Sequence, residues 1–251
     1  MSIVEFTAAA TTNFAMISQN PFYRDGVSSL DALYACAIRT APREGFPVFY
    51  GRLLLVCHKS MVSAANLIAS CLPEDSVGVT RRAIEAAKVA NAIRLNDNNA
   101  KQWLAENERH ERWLRRQEGE KPKPFHVRFE DLQGDDLSTA LDTFIGILSD
   151  AYLHFTPEFY GSLAWQVIAK PEGPGGYIHL SYFQPEIREL ERHFMLLASI
   201  HEKILMVFDR CYESRLMQTD EYRNAYATFS SNSNRLTTGY QKRYGVQAAP
   251  K

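Results

Sequence analysis

The residues to test first are the seven histidines, His58, His110, His126, His154, His179, His193 and His201. Helical bundles hold dinuclear metals through Glu-x-x-His pairs on facing helices. Three residues before these histidines stand Leu55, Asn107, Lys123, Ala151, Gly176, Leu190 and Ala198, so that carboxylate pattern is absent. His193 and His201 are eight apart, two helical turns, and do not form the adjacent-turn pair of a zinc helix. No metal and no cofactor is expected, although a site assembled from distant residues stays open. Nucleophile and phosphate-loop signatures are also missing. There is no GxSxG elbow and no GxxxxGK[ST] loop, and the run from Gly173 to Gly176 lacks the strand before and helix after that a dinucleotide fingerprint needs.

One constellation carries acid–base chemistry. Arg81, Arg82 and Glu85 share one helix face, and Ser149 and His154 stand near the end of another helix. Together they predict a metal-independent nuclease or nucleotide-acting site, with His154 as general acid and base and Arg81 or Arg82 holding a phosphate. Simpler assignments compete with it. Arg81 and Glu85 are spaced as a surface ion pair worth about 0.3–0.5 kcal/mol. His154, just before Pro157, suits a helix C-terminus, where the dipole favours an imidazolium. The basic stretch from Arg109 to Arg116 is neutralised by Glu106, Glu108, Glu111, Glu118 and Glu120, and reads as a solvated helix face.

The elements that position these residues follow from apolar spacing. From Phe49 to Leu72 the chain is apolar nearly all round, which predicts a helix buried within a bundle. Pro73 stops that run, and a second helix starts near Glu74 or Asp75, acids suited to the positive end of the helix dipole. This helix runs past Leu95 with Val79, Ala83, Ala86, Ala87, Ala90 and Ile93 on its apolar stripe. Its opposite arc carries Arg81, Arg82, Glu85, Lys88 and Asn91. Before them a helix is expected over Ser29 to Arg39, and a short one over Ala8 to Met16.

After them comes an exposed helix anchored by Trp103 and Trp113, then a linker loop over 119–135. An amphipathic run from Leu137 to Phe155 follows, capped by Asp135 or Asp136 and ended by Pro157. Residues 164–183 alternate apolar with polar around PEGPGG, which admits a small β-hairpin insertion or an irregular loop. The longest pattern runs from Pro185 to Cys211, a shorter helix spans Asp220 to Phe229, and residues 230–239 read as a loosening tail. Residues 1–20 and 232–251 are expected to be loose termini.

The strings TRRAIEAAKVANAIRLNDNNAKQWL and ILSDAYLHFTPEFYGSL resemble a loose group of uncharacterised bacterial all-helical proteins, domains of unknown function. These carry Arg-x-x-x-Glu on one helix, then Ser-x-x-x-x-His followed by a small residue and Pro. The matching positions are Arg81 or Arg82, Glu85, Ser149, His154, Thr156 and Pro157, within Gly51 to Leu163. The group is similar to HEPN-type bundles, many of which are ribonucleases of defence or toxin systems built on an Arg-x(4–6)-His element. The resemblance therefore implies an RNA or nucleotide substrate. Arg52 with His58, and Arg188 with His193, fit that spacing, but 19 arginines and seven histidines produce such a hit by chance. Arg52 and His58 are moreover expected within the most apolar helix, away from a solvent-open phosphodiester site.

Composition sets the outer bounds. A chain of 251 residues with a formal net charge of -1 is sized for one core and shows no bias toward nucleic acid or anionic lipid. Cys36, Cys57, Cys71 and Cys211 are scattered without a CxxC pair, as expected of a reduced, cytoplasmic protein. The strongest membrane candidate, Ser60 to Leu72, is stopped by Pro73 and is too short to span a bilayer. The reading is an all-α single helical bundle of six or seven helices, acting through protein–protein contacts and homo-oligomeric. The ribonuclease or nucleotide-acting enzyme is the alternative, and a pocket lined by Tyr152, Trp165, Tyr177 and Tyr182 is a third class.

Overall fold

Ser2 opens the first helix: its Oγ accepts from the Glu5 N–H at 3.3 Å, while the Ser2 N–H donates back to Glu5 Oε2 at 2.7 Å. This reciprocal cap starts α1 at Ile3 and carries it to Ile17, longer than the expected Ala8 to Met16 and inside a terminus expected to be loose. The structure, a computed structural model, describes residues 2–96, 99, 113, 116–119, 135–149, 165–169, 176–180, 183 and 186–245; for the two strands it describes the backbone alone. A π-helical segment, Phe22–Val27, leads directly into α2, Ser28–Thr40.

Helix α3, Val48–Ala69, ends in a left-handed turn. Cys71 takes φ 62°, the Cys71 N–H donates to Ile68 O and the Leu72 N–H to Leu67 O, each at 2.9 Å. That pair of bonds is a Schellman cap, usually given to glycine. Burial of the Cys71 side chain accompanies the strained φ here. Pro73 then occupies the first turn of α4, Pro73–Leu95, where its missing N–H costs nothing. Helices α3 and α4 pack side by side. Their approach is close enough for the Cys57 thiol to donate to Ala83 O at 3.3 Å.

Beyond them lie α5, Asp136–Leu148, and an antiparallel pair, β1 Trp165–Ala169 and β2 Gly176–Leu180, with Trp165 opposite Leu180 and Ala169 opposite Gly176. Helix α6, Ile187–Cys211, packs on α3, α4 and α5, with Ile200, Ile204, Leu205 and Phe208 wholly buried. A single turn, α7 Arg215–Gln218, precedes α8, Asp220–Tyr244. The fold is all-α, with eight α-helices among the described residues rather than six or seven.

Two expectations need correction. Helix α8 does not end at Phe229: it continues to Tyr244 and stops at Gly245, whose φ of 67° is the usual helix terminator. Phe229, Leu236 and Tyr240 recur on one face and are buried, so docking overrides the poor helix propensity of the Ser, Asn and Thr between them. Helix α3 is not buried all round. Val48, Arg52, Leu55, Lys59, Val62 and Asn66 form an exposed stripe along it, because α4 and α6 cover only its other sides. The exposed Trp113 helix and the 119–135 linker lie almost wholly outside the described residues, as does the continuation of α5 toward Phe155.

Candidate functional site

Helix α4 was expected to turn Arg81, Arg82, Glu85, Lys88 and Asn91 to solvent. Only the first three reach it. Lys88 and Asn91 are 8% and 1% exposed, because α5 lies across this arc. Lys88 Nζ meets Asp142 Oδ1 at 2.6 Å, and the second Asp142 oxygen is buried with no hydrogen-bond partner among the described residues. Asn91 Nδ2 donates to Asp135 Oδ2 at 3.0 Å and to Ser138 Oγ at 2.7 Å. Arg94 donates to Asn91 Oδ1, and Arg210 of α6 reaches Asp135 at 3.1 Å and Asp136 at 2.8 Å.

Asp135 is the centre of this seam. As N-cap of α5 it also accepts from the Ser138 N–H at 2.8 Å. Burial alone would raise its carboxyl, but hydrogen bonds from Ser138 and Asn91 and the charge of Arg210 hold it below its ordinary value.

At the far end of the same contact, Arg81 Nη1 donates to Ser149 Oγ at 3.1 Å, and Arg81 Nε lies 3.9 Å from Glu85 Oε1. Three of the sequence-predicted residues therefore meet: Arg81 and Glu85 on α4, and Ser149 at the C-cap of α5. Arg82 is exposed on α4 and makes no ion pair among the described residues. His154, Thr156 and Pro157 lie outside the described residues, as do Tyr152 and Tyr182; for Trp165 and Tyr177 only the backbone is described. A small crevice lies beside this junction, between Thr80 and Leu148, with His193 of α6 in its wall. His193 Nδ1 donates to Glu189 O at 2.9 Å, and burial lowers its pKa, so the ring is neutral with Nε2 as its basic nitrogen.

A second polar cluster was not anticipated. Tyr34 of α2 and His201 of α6 are both wholly buried and share a 2.7 Å hydrogen bond at His201 Nδ1. Burial, with a smaller effect from the nearby His58, pushes His201 down to about 3. Its Nε2 has no hydrogen-bond partner among the described residues. The Tyr34 ring stacks on His58 at 5.2 Å between centroids, and His58 Nε2 meets Asp31 Oδ1 at 2.7 Å at the surface. His58 was expected deep in an apolar helix; it sits instead at the edge of the exposed stripe of α3. The signal in the sequence was polar residues interrupting apolar faces at Tyr34, His58 and His201.

Among the described residues no group of three or more His, Cys, Asp or Glu is placed to hold a metal ion, and no helix is long and apolar enough to cross a membrane. All four cysteines are free and buried. Burial pushes Cys71 up to about 11 and Cys211 up to about 12, which leaves these thiols protonated and unreactive at neutral pH. No family model, curated protein or solved structure matches the chain.

Proposed function

We propose that the protein works by contact rather than by catalysis, and that its own second copy is the first partner. The observation that carries this is the outer stripe of α3. Val48, Leu55 and Val62 are 73%, 51% and 36% exposed and recur every seven residues, the spacing of a helix seam facing another helix. The small-residue face of α4 does not serve this purpose: Ala83, Ala87 and Ala90 are fully buried inside the chain.

A two-fold axis at Leu55 sets Leu55 against itself and Val48 against Val62. Size-exclusion chromatography with light scattering, from about 1 to about 100 µM, tests this. The mass should rise toward the dimer for the wild type and stay monomeric for Leu55→Asp; a strict wild-type monomer contradicts the proposal.

The enzyme reading is favoured by the Arg81–Ser149 hydrogen bond, which joins the two sequence elements across 68 residues. In it His154 acts as general acid and base on RNA or a nucleotide, Arg81 or Arg82 holds phosphate, and Glu85 orients Arg81. Hydrolysis assayed in chelator should fall about 10²–10⁴-fold in His154→Ala. No cleavage of RNA or nucleotides by the wild type removes this reading.

A further inference from the structure

Helix α8 joins two unlike halves. Residues 220–229 are held from two sides: Glu221 pairs with Arg39 of α2, Tyr226 Oη donates to Glu202 of α6 at 2.8 Å, and Tyr222 and Phe229 are buried. Residues 230–244 bury only Leu236 and Tyr240. Eight of these fifteen residues are Ser, Asn, Thr or Gly, each a weaker helix former than alanine. This half is therefore helical because of what it touches, and not by its own tendency.

What it touches is a short set of contacts. Arg235 meets Asp25 of the π-helical segment at 2.8 Å, Asn232 Nδ2 donates to Asp25 O at 3.5 Å, and Tyr240 packs edge-on against Phe22. The far end is fastened by Glu191 of α6, wholly buried, which accepts from Arg243 at 3.0 Å and from Asn20 at 3.1 Å. Arg235 and Arg243 are themselves half-exposed, so neither pair adds much strength. Phe22, Leu30, Phe194 and Leu197 lie against Ser233, Leu236 and Thr237 of this half and are buried.

We propose that residues 230–244 form a strap that lifts as one unit, hinged at residues 230–234, and uncovers the apolar surface of Phe22, Leu30 and Phe194. The hinge run carries no apolar side chain, whereas Phe229 just before it keeps the first half docked. Local opening of this kind takes the least stable cooperative unit of a fold, with few buried apolar groups and ties at its ends. The strap uses no residue of the α3 stripe, so it is independent of self-association.

Hydrogen exchange of the full chain, resolved by mass spectrometry, tests the proposal. The amides of residues 234–244 should exchange together, at least about 100-fold faster than those of α6 and of residues 224–229. Gly239→Ala adds a Cβ that meets nothing within 4 Å, and should slow this opening about fivefold while exchange in α6 stays unchanged. Arg235→Gln with Arg243→Gln should speed it about tenfold, and 1 M NaCl should move the wild type in the same direction. Exchange of residues 234–244 no faster than α6, or exchange graded inward from Tyr244 as simple fraying, overturns the proposal. So does an opening rate that neither Gly239→Ala nor the loss of both arginines alters.

Discussion

The α4–α5 seam and the Tyr34–His201 pair are both buried polar contacts, yet they solve burial in opposite ways. The seam keeps full charges and matches them: Lys88 with Asp142, and Asp135 with Asn91, Arg94 and Arg210. The Tyr34–His201 pair keeps no charge at all, since burial holds the imidazole neutral and the phenol protonated. The seam is therefore sensitive to losing a partner, and the pair is sensitive to gaining a proton. Both join elements distant in sequence, α4 to α5 and α2 to α6.

Lys88→Ala should have the largest effect, because it strands a carboxylate that already has one oxygen without a partner among the described residues. A loss of about 3 kcal/mol is expected in urea unfolding, and Lys88→Met with Asp142→Leu should recover most of it. Equal losses in the single and double variants would show that packing, not charge, holds the seam.

Asp135→Ala removes the cap of α5 and the acceptor shared by Asn91 and Arg210. About 2–3 kcal/mol should be lost, with hydrogen exchange rising first in the opening turn of α5.

For the neutral pair the sign follows from linkage. His201 has a folded pKa depressed to about 3 from the ordinary 6.5, so its contribution is complete above pH 6.5 and falls as pH drops toward 3. Burial lowers His193 in the same direction. Between pH 6.5 and 5, His201 alone should cost about 2 kcal/mol, and His201→Asn should flatten that slope. An equal slope in the variant would move the proton uptake elsewhere.

Glu85→Ala, at an exposed ion pair with 3.9 Å separation, should change stability by less than about 0.5 kcal/mol. A larger loss would mean that Glu85 supports the Arg81–Ser149 contact beyond its own charge.

Much of the bundle was legible from periodicity. The α3–α4 break at Pro73, the α2 boundaries and the long α6 follow from apolar spacing and caps, because those helices bury one continuous stripe. The second half of α8 was not legible, since Phe229, Leu236 and Tyr240 are diluted among residues with weak helix propensity. The Ser2 and Glu5 cap of α1 stands in the sequence as S-x-x-E and marks the start of the helix at Ile3.

Of the candidate site, the placing of Arg81 on one helix and Ser149 near the end of another was legible in the sequence. The burial of Lys88 and Asn91 was not, because a polar arc spells the same pattern whether it faces water or a complementary polar helix. The α3 stripe was hidden for the converse reason: Leu55 and Val62 look like core until the neighbours are placed.

Self-association through α3 can be tested most directly by trapping it. All four native cysteines are buried, so Leu55→Cys introduces a single accessible thiol on the exposed stripe. Under mild oxidation the two-fold arrangement predicts a covalent dimer on a non-reducing gel, while Met217→Cys, exposed on α7, remains monomeric. Cross-linking no greater at position 55 than at position 217 would contradict it.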